Sequence, residues 1–389
     1  MYILLVAGGF PQKRYPLNGI FEFDQAKALA AVGHKVVFAA IDLRSIHRWR
    51  KWGYERFDRD GVLVRIINIP VGAVPKPWLD TIGKITFKHL YSRIEAEFGK
   101  PDIVHAHFFE VSLMVADFCK KEKLPLAITE HSSNINTLRA TKNDIERAKR
   151  AYSVADKIIA VSNALKEMIK FHTGIEVLVV PNVVDLKAFT SYTSTKRSDR
   201  EINKFLFVAT GNLILSKGFD LLIDSFFDVV MTYPNTFLYI FGDGPMHNEL
   251  VLQVKSLRIE KNITFMGRRP REELAKVYSI ANAFVLPSLS ETFGVAYIEA
   301  MVSGLPVIAT QCGGPEDFVT PQTGLLIPIN NRKALTDAMI YMINHRLEYH
   351  GEIISTYALN RFSPENVASQ LTEIYNNIVK TTLKNKNVI

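Results

Sequence analysis

Two glutamates, Glu291 and Glu299, stand in the stretch 283–300, AFVLPSLSETFGVAYIEA. An apolar run ends at Pro287, a small polar loop Ser288-Leu289-Ser290 follows, and Gly294 opens an apolar-periodic segment that carries Glu299. The pattern predicts a strand over 283–286, a tight loop and a helix over 294–302. Ionised carboxylates accept strong hydrogen bonds and suit the hydroxyls of sugars and ribose. Gly294 permits close approach of a ligand to the backbone. The first helical amides, near Gly294 and Val295, lack intrahelical partners and suit a phosphate. Glu291 lies before the helix and Glu299 more than a turn inside it, so the pair can reach different parts of one extended ligand. Taken alone, the same spacing fits a first-turn dipole partner and a solvated helix residue equally well.

A cation stands in the same half of the chain. Lys217 ends the run Gly211-Asn212-Leu213-Ile214-Leu215-Ser216-Lys217-Gly218, after a predicted strand over 204–209 and before a predicted helix over 218–231. A lysine at a helix start opposes the dipole, which favours an anionic partner over a plain surface lysine. In the first half, Gly8-Gly9-Phe10-Pro11 follows the first predicted strand and Gly19 opens the next helix. His131 follows a strand over 126–129. His105 and His107 close a strand over 102–106, where they are read as alternating onto opposite faces, so that one of them faces a site.

The elements that must position these residues alternate along the chain. Strands are predicted over 2–7, 35–40, 62–67, 102–106, 126–129 and 157–161, with helices over 21–31, 78–98, 110–121 and 164–171 between them. Residues 190–203, TSYTSTKRSDREIN, lack apolar periodicity and read as a linker. The alternation then restarts, with strands over 204–209, 236–241, 263–265, 283–286, 306–309 and 325–327. Helices are predicted over 218–231, 246–257, 271–279, 294–302 and 332–344. The fold class is α/β, two doubly wound domains facing across a cleft. The expected division is 1–190, a linker over 191–203, 204–363, and a C-terminal crossover helix and tail over 364–389 that packs back on the first domain.

The passage around Glu291 closely resembles the E-x7-E signature of retaining glycosyltransferases of the two-domain GT-B fold, in particular glycosyltransferase family 4. PSLSE, FG and EAMVSGLPV match its neighbours, and residues 211–218 look like the family's G-x-L-x-x-x-K-G segment. Gly242-Asp243-Gly244-Pro245 and Pro181-Asn182-Val183-Val184-Asp185 also resemble family segments. The resemblance implies transfer of a sugar from a UDP- or GDP-sugar donor to a saccharide or lipid-linked saccharide acceptor, with retention. It implies catalytic roles for Glu291, Lys217 and His131, with Glu291 at the donor sugar and Lys217 at the diphosphate. Donor contacts are implied for Glu299 at the ribose and for Gly19, Gly211, Asn212, Arg268, Phe293, Gly294 and Val295. His107 is the acceptor-side candidate. Asn212 stands where many members carry arginine, and Arg268, after Gly267, is a replacement cation by position. The alternatives are a nucleotide-sugar epimerase of the same architecture and a non-catalytic nucleotide-sugar-binding protein.

Composition narrows the remaining classes. The 389 residues are 48% apolar, enough for more than one core. The net charge of +8 falls wholly within residues 1–190, while residues 191–389 balance. Cys119 and Cys312 are too few for a disulfide framework and read as two buried thiols. No His, Cys or carboxylate set has metal-ligand spacing, and Asp58-Arg59-Asp60 before Gly61 reads as a solvated turn; no cofactor and no essential metal are expected. Residues 44–59, RSIHRWRKWGYERFDR, are basic and aromatic and suit an anionic membrane surface. A charged loop with its aromatics packed on the core fits the same residues. No nucleic-acid-binding module is present. The N-terminal apolar run reads as a first strand, and no run spans a bilayer. The expectation is a cytoplasmic protein, peripheral on the inner face of the membrane if residues 44–59 bind lipid.

Overall fold

The first strand, β1 (Tyr2–Ala7), is an unbroken apolar run buried at every position. Such a run belongs to a parallel strand covered on both faces. In the computed structural model, which describes residues 1–386 except 17, 45, 46, 48, 72, 73, 139 and 191–203, it sits mid-sheet. The chain divides into two units, Met1–Val183 with the segment from Pro364, and Val184–Ser363.

In the first unit β1 is followed by α1 (Ile20–Ala31), β2 (Lys35–Asp42), β3 (Gly53–Arg59), β4 (Val62–Asn68), α2 (Lys76–Phe98) and β5 (Ile103–His107). Then come α3 (Phe109–Glu122), β6 (Leu126–Glu130), α4 (Lys142–Tyr152), β7 (Lys157–Ala160), α5 (Asn163–Thr173) and β8 (Leu178–Val179). The strand order is β3-β4-β2-β1-β5-β6-β7-β8. Among the strands of the described residues, only the β3–β4 pair is antiparallel. The chain runs outward from β1 to β2 on one side and returns to β5 on the other, so the carboxyl ends of β1 and β5 flank the switch point. Strand β3 was not legible, because Glu55, Arg56, Asp58 and Arg59 mask its pleat. Asp60 and Gly61, with φ of 52° and 77°, make its two-residue hairpin turn to β4.

The second unit contains α6 (Lys187–Thr190), β9 (Phe205–Thr210), α7 (Phe219–Thr232), β10 (Thr236–Phe241), α8 (His247–Ser256), β11 (Ile263–Gly267) and α9 (Arg271–Ile280). It continues with β12 (Ala283–Leu286), α10 (Val295–Val302), β13 (Val307–Thr310), β14 (Gly324–Ile327), α11 (Arg332–Asn344) and α12 (Gly351–Phe362). Its sheet is wholly parallel, ordered β11-β10-β9-β12-β13-β14. Counted along the unit this is 3-2-1-4-5-6, the doubly wound order, with its reversal between β9 and β12.

The units divide at Val183, earlier than the expected boundary at 190. Phe189 is buried, with its ring 5.7 Å from that of Tyr278 on α9, so this short stretch packs with the second unit. The predicted linker 191–203 lies outside the described residues. The last helix, α13 (Pro364–Lys386), belongs to the first unit. Val367, Ala368, Leu371, Tyr375 and Ile378 fall on one helical face and join the core of Ile3, Leu5 and Phe38. Each large apolar side chain buried there contributes roughly 1.5–3 kcal/mol. Cys119 is buried, whereas Cys312 is only half-buried, because it lies in the loop after β13.

Candidate active site

The reversal in the second unit brings two loops together, one after β9 and one after β12. Gly218 follows the 3-10 turn Leu215–Lys217 with φ 67°, and a Cβ there would lie 2.3 Å from the Pro287 carbonyl oxygen. The Leu289 amide donates to the Ser216 carbonyl at 2.8 Å. Only glycine permits this contact, and the contact sets Lys217 beside the second loop. Lys217 Nζ lies 2.6 Å from Glu291 Oε1, which also accepts from Ser288 Oγ at 2.8 Å. The Glu291 backbone is held by the third loop: its amide donates to the Cys312 carbonyl, and Gly314 N donates to the Glu291 carbonyl. An ammonium and a carboxylate are thus fixed against one another at the carboxyl ends of the central strands, where open α/β sheets bind ligands.

Glu299 lies in the second turn of α10 and is largely buried. Arg271 Nε donates to its Oε1 at 3.2 Å, and Arg271 Nη1 lies 3.8 Å from Asp185 Oδ2. Arg271 was not singled out from sequence; the cation chosen from the same turn was Arg268, which is exposed. Arg268 ends up beyond β11, the edge strand, two strands from β9. Asn212 is exposed in the loop after β9, where its carbonyl accepts from the Ile214 amide. The Gly211 amide donates to the Phe241 carbonyl. Phe293, expected at the donor, instead turns into the core, with ring centroids 6.1 Å from Phe318 and 5.6 Å from Phe362. Gly294 is the left-handed N-cap of α10, and Val295, its first residue, is half-buried.

In the first unit Gly19 caps α1 with φ 72°, and a Cβ there would lie 2.3 Å from the Gly9 carbonyl oxygen. That contact alone requires the glycine. His105 and His107 do not diverge: residues two apart share one face of a strand. Their rings stack at 4.6 Å, and His107 stacks on His131 at 5.1 Å. Gln25 Nε2 lies 3.1 Å from His105 Nδ1 and 3.4 Å from His107 Nε2. An amide nitrogen only donates, so His107 Nε2 accepts. His107 then carries its proton on Nδ1 and donates to His131 Nε2 at 2.9 Å. Tyr375 on α13 reaches His105 Nδ1 at 2.5 Å, and Thr129 Oγ1 lies 2.7 Å from His105 Nε2.

Burial drives all three histidines to the neutral form. His105 falls to about 3 and His131 to about 4, where the Asn182 side chain opposes the shift, and His107 falls well below its ordinary value. His131 is therefore a neutral hydrogen-bonding group. Its loop is held by Glu130, whose carboxylate accepts from the amides of Phe109, His131 and Ser132 and from the Tyr152 hydroxyl. The acid directly before the histidine was the available signal for this anchor.

The basic segment 44–59 is altered by its own acid. Arg50 is 3% exposed and sits 2.6 Å from Asp42 Oδ1, and Arg44 sits 2.5 Å from Asp42 Oδ2. The side chains facing outward include Trp49 at 59%, Trp52 at 45%, Lys51, Arg56 and Arg59, with the two indoles 5.6 Å apart. Residues 45, 46 and 48 lie outside the described set.

Comparison with known proteins agrees with this architecture. Residues 23–188 match the family described as Glycosyltransferase Family 4, and residues 193–358 match Glycosyl transferases group 1. A candidate teichuronic acid biosynthesis glycosyltransferase, TuaC of Bacillus subtilis, is 28% identical over 87% of this chain and 88% of its own. The sucrose-phosphate synthase of Thermosynechococcus elongatus superposes with TM-score 0.78 at 21% identity, over 98% of this chain and 99% of that one. The Anabaena protein HepE, solved with UDP-glucose, gives 0.71 at 19% identity over 97% and 100%. The chain thus belongs to the GT-B-fold glycosyltransferases, with a Glycosyltransferase Family 4 domain followed by a Glycosyl transferases group 1 domain.

Proposed function

We propose that the enzyme transfers a hexose from a UDP- or GDP-sugar to a hydroxyl of a saccharide or lipid-linked saccharide, with retention at the anomeric carbon. The observation that carries this reading is the Lys217–Glu291 pair at 2.6 Å on the strand-order reversal. An anomeric carbon and its phosphate are one bond apart, and the pair offers a sugar-hydroxyl acceptor beside a phosphate donor. Glu299, further along α10, takes the ribose. The acceptor hydroxyl attacks the anomeric carbon as the bond to the phosphate oxygen breaks, and its proton passes to that departing oxygen. The products are the glycoside and a nucleoside diphosphate. Lys217 bears on the negative charge that grows on the leaving group, where a fixed charge stabilises the transition state more than the ground state. No essential metal is required in this scheme, because an ammonium fills the cationic role.

The first unit takes the acceptor, with His131 as a neutral hydrogen-bonding group; His107 is fully buried with both ring nitrogens engaged by Gln25 and His131, so it positions His131 and does not meet the acceptor as the sequence led us to expect. The name of the Bacillus subtilis relative supports a role in surface polysaccharide synthesis. The decisive experiment incubates the protein with UDP- and GDP-hexoses, with and without a saccharide acceptor, and reads the product by proton NMR. Retained anomeric configuration in an acceptor-dependent product is expected. Inverted product, or isomerised donor formed without acceptor, would overturn the reading.

Trp49, Lys51 and Trp52 support docking on an anionic membrane, since indoles favour the interface and a nearby cation adds about 1 kcal/mol. Among the described residues no helix is long and apolar enough to cross one. Sedimentation with phosphatidylserine vesicles should capture the wild type, and a Trp49→Ala, Lys51→Glu, Trp52→Ala variant several-fold less. Equal capture would end the idea.

A further inference from the structure

We propose that Arg271 is the positioning residue that sets Glu299 for the donor's ribose, and that through it the site selects ribonucleotides over their deoxy counterparts. This deepens the reading of Glu299 as the ribose carboxylate and rests on it. Arg271 is the first residue of α9, where a cation opposes the helix dipole. Two carboxylates offset that placement. Nε donates to Glu299 Oε1 at 3.2 Å, and Nη1 lies 3.8 Å from Asp185 Oδ2. The guanidinium is planar, so anchors on two of its nitrogens fix its plane as well as its position. The Glu299 side chain is 9% exposed and that of Arg271 28%. A carboxylate that buried needs a compensating charge to stay ionised.

Asp185 precedes α6, Arg271 opens α9 and Glu299 lies within α10, so three separate segments of the second unit converge on one guanidinium. Without Arg271, Glu299 Oε1 loses the donor that aims it and Asp185 loses its link to α9. Glu299 would then be turned by its remaining surroundings, and the acceptor would no longer point where a ribose hydroxyl needs it. A misdirected Glu299 could still pack correctly, and the helix would remain. The expected loss is therefore in sugar discrimination first and in overall binding second. A hydrogen bond to a charged partner amounts to about 10- to 100-fold in affinity.

The test is calorimetric titration of the full chain with UDP and GDP, each paired with its 2′,3′-dideoxy counterpart. The wild type should prefer the ribonucleotide by about 10- to 100-fold. Glu299→Gln and Arg271→Gln should each erase most of that preference, and Arg271→Lys should restore part of it. If Glu299→Gln erases it and Arg271→Gln keeps it, Glu299 holds the ribose and Arg271 does not position it. If Arg271→Gln weakens both nucleotides equally, Arg271 is merely structural and the proposal fails. No preference in the wild type would overturn the ribose reading itself. Should Arg271→Gln fail to fold, Arg271→Lys decides, because an unchanged preference in that variant excludes a role for the guanidinium geometry.

Discussion

The two sheets share one winding rule and differ in what they present where the strand order reverses. In the second unit the loops after β9 and β12 carry opposite charges in direct contact, Lys217 with Glu291, and Arg271 with Glu299 lies nearby on the following helices. In the first unit the ends of β5 and β6 carry three stacked imidazoles that burial keeps uncharged. Yet the first unit holds the entire positive excess of the chain. Its cations are spent elsewhere: Arg44 and Arg50 on Asp42, Arg65 on Glu97, and Arg147 on Asp80. Net charge over a domain therefore does not reveal the charge at its site. A charged site fits the part of a substrate whose charge changes during reaction, and a neutral one fits hydroxyls.

Removing charge should accordingly hurt more than removing an imidazole. Lys217→Ala is expected to lower kcat by about 10²- to 10³-fold, the usual cost of losing one transition-state donor. His131→Asn should cost about 10-fold or less, as for a neutral hydrogen bond. Steady-state kinetics with a fixed donor and acceptor checks both. If His131→Asn lost as much as Lys217→Ala, the contrast between a charged and a neutral site would collapse.

The α/β class and the strand order's raw material were legible because parallel strands are unbroken apolar runs and their helices keep one apolar face. Strand β3 was hidden, since an edge strand needs no apolar pleat. Helix α4 was hidden too: it is polar on most positions and is announced chiefly by its Thr141 cap on the Asp144 amide. At the site, Lys217 and Glu291 were readable from short motifs, but their contact depends on Gly218 packing against Pro287, which no local pattern states. Arg268 fits a second diphosphate cation only by its place after Gly267, and Arg271, three residues on, is the one whose contact with Glu299 the course of the turn decides. Phe293 misled because a motif residue can serve the core. The histidines were misread by one error of strand parity.

The same neutrality makes a pH prediction that isolates the first unit. All three tryptophans, Trp49, Trp52 and Trp78, lie in it, so intrinsic fluorescence reports its unfolding alone. The depressed histidines give stability that is complete above their unfolded value near 6.5 and is lost as pH falls below it. A histidine that stays neutral when folded costs about 2 kcal/mol at pH 5, because the unfolded chain takes up the proton. Burial raises Glu22 and Glu130 to about 7, and such carboxyls act in the opposite sense. Their stabilisation is present below the unfolded value and is lost as pH rises through 7. Between pH 7 and 5 the three histidines, at about 2 kcal/mol each, outweigh the two carboxyls, also at about 2 kcal/mol each, so urea melts of the wild type should lose about 2 kcal/mol. Glu22→Gln removes one carboxyl from the balance, so its stability should fall by about 4 kcal/mol over the same interval. The difference between the two proteins holds only if the folded state protonates Glu22 over this interval. A Glu22→Gln protein whose stability fell no further than the wild type's would mean that Glu22 stays ionised despite its burial.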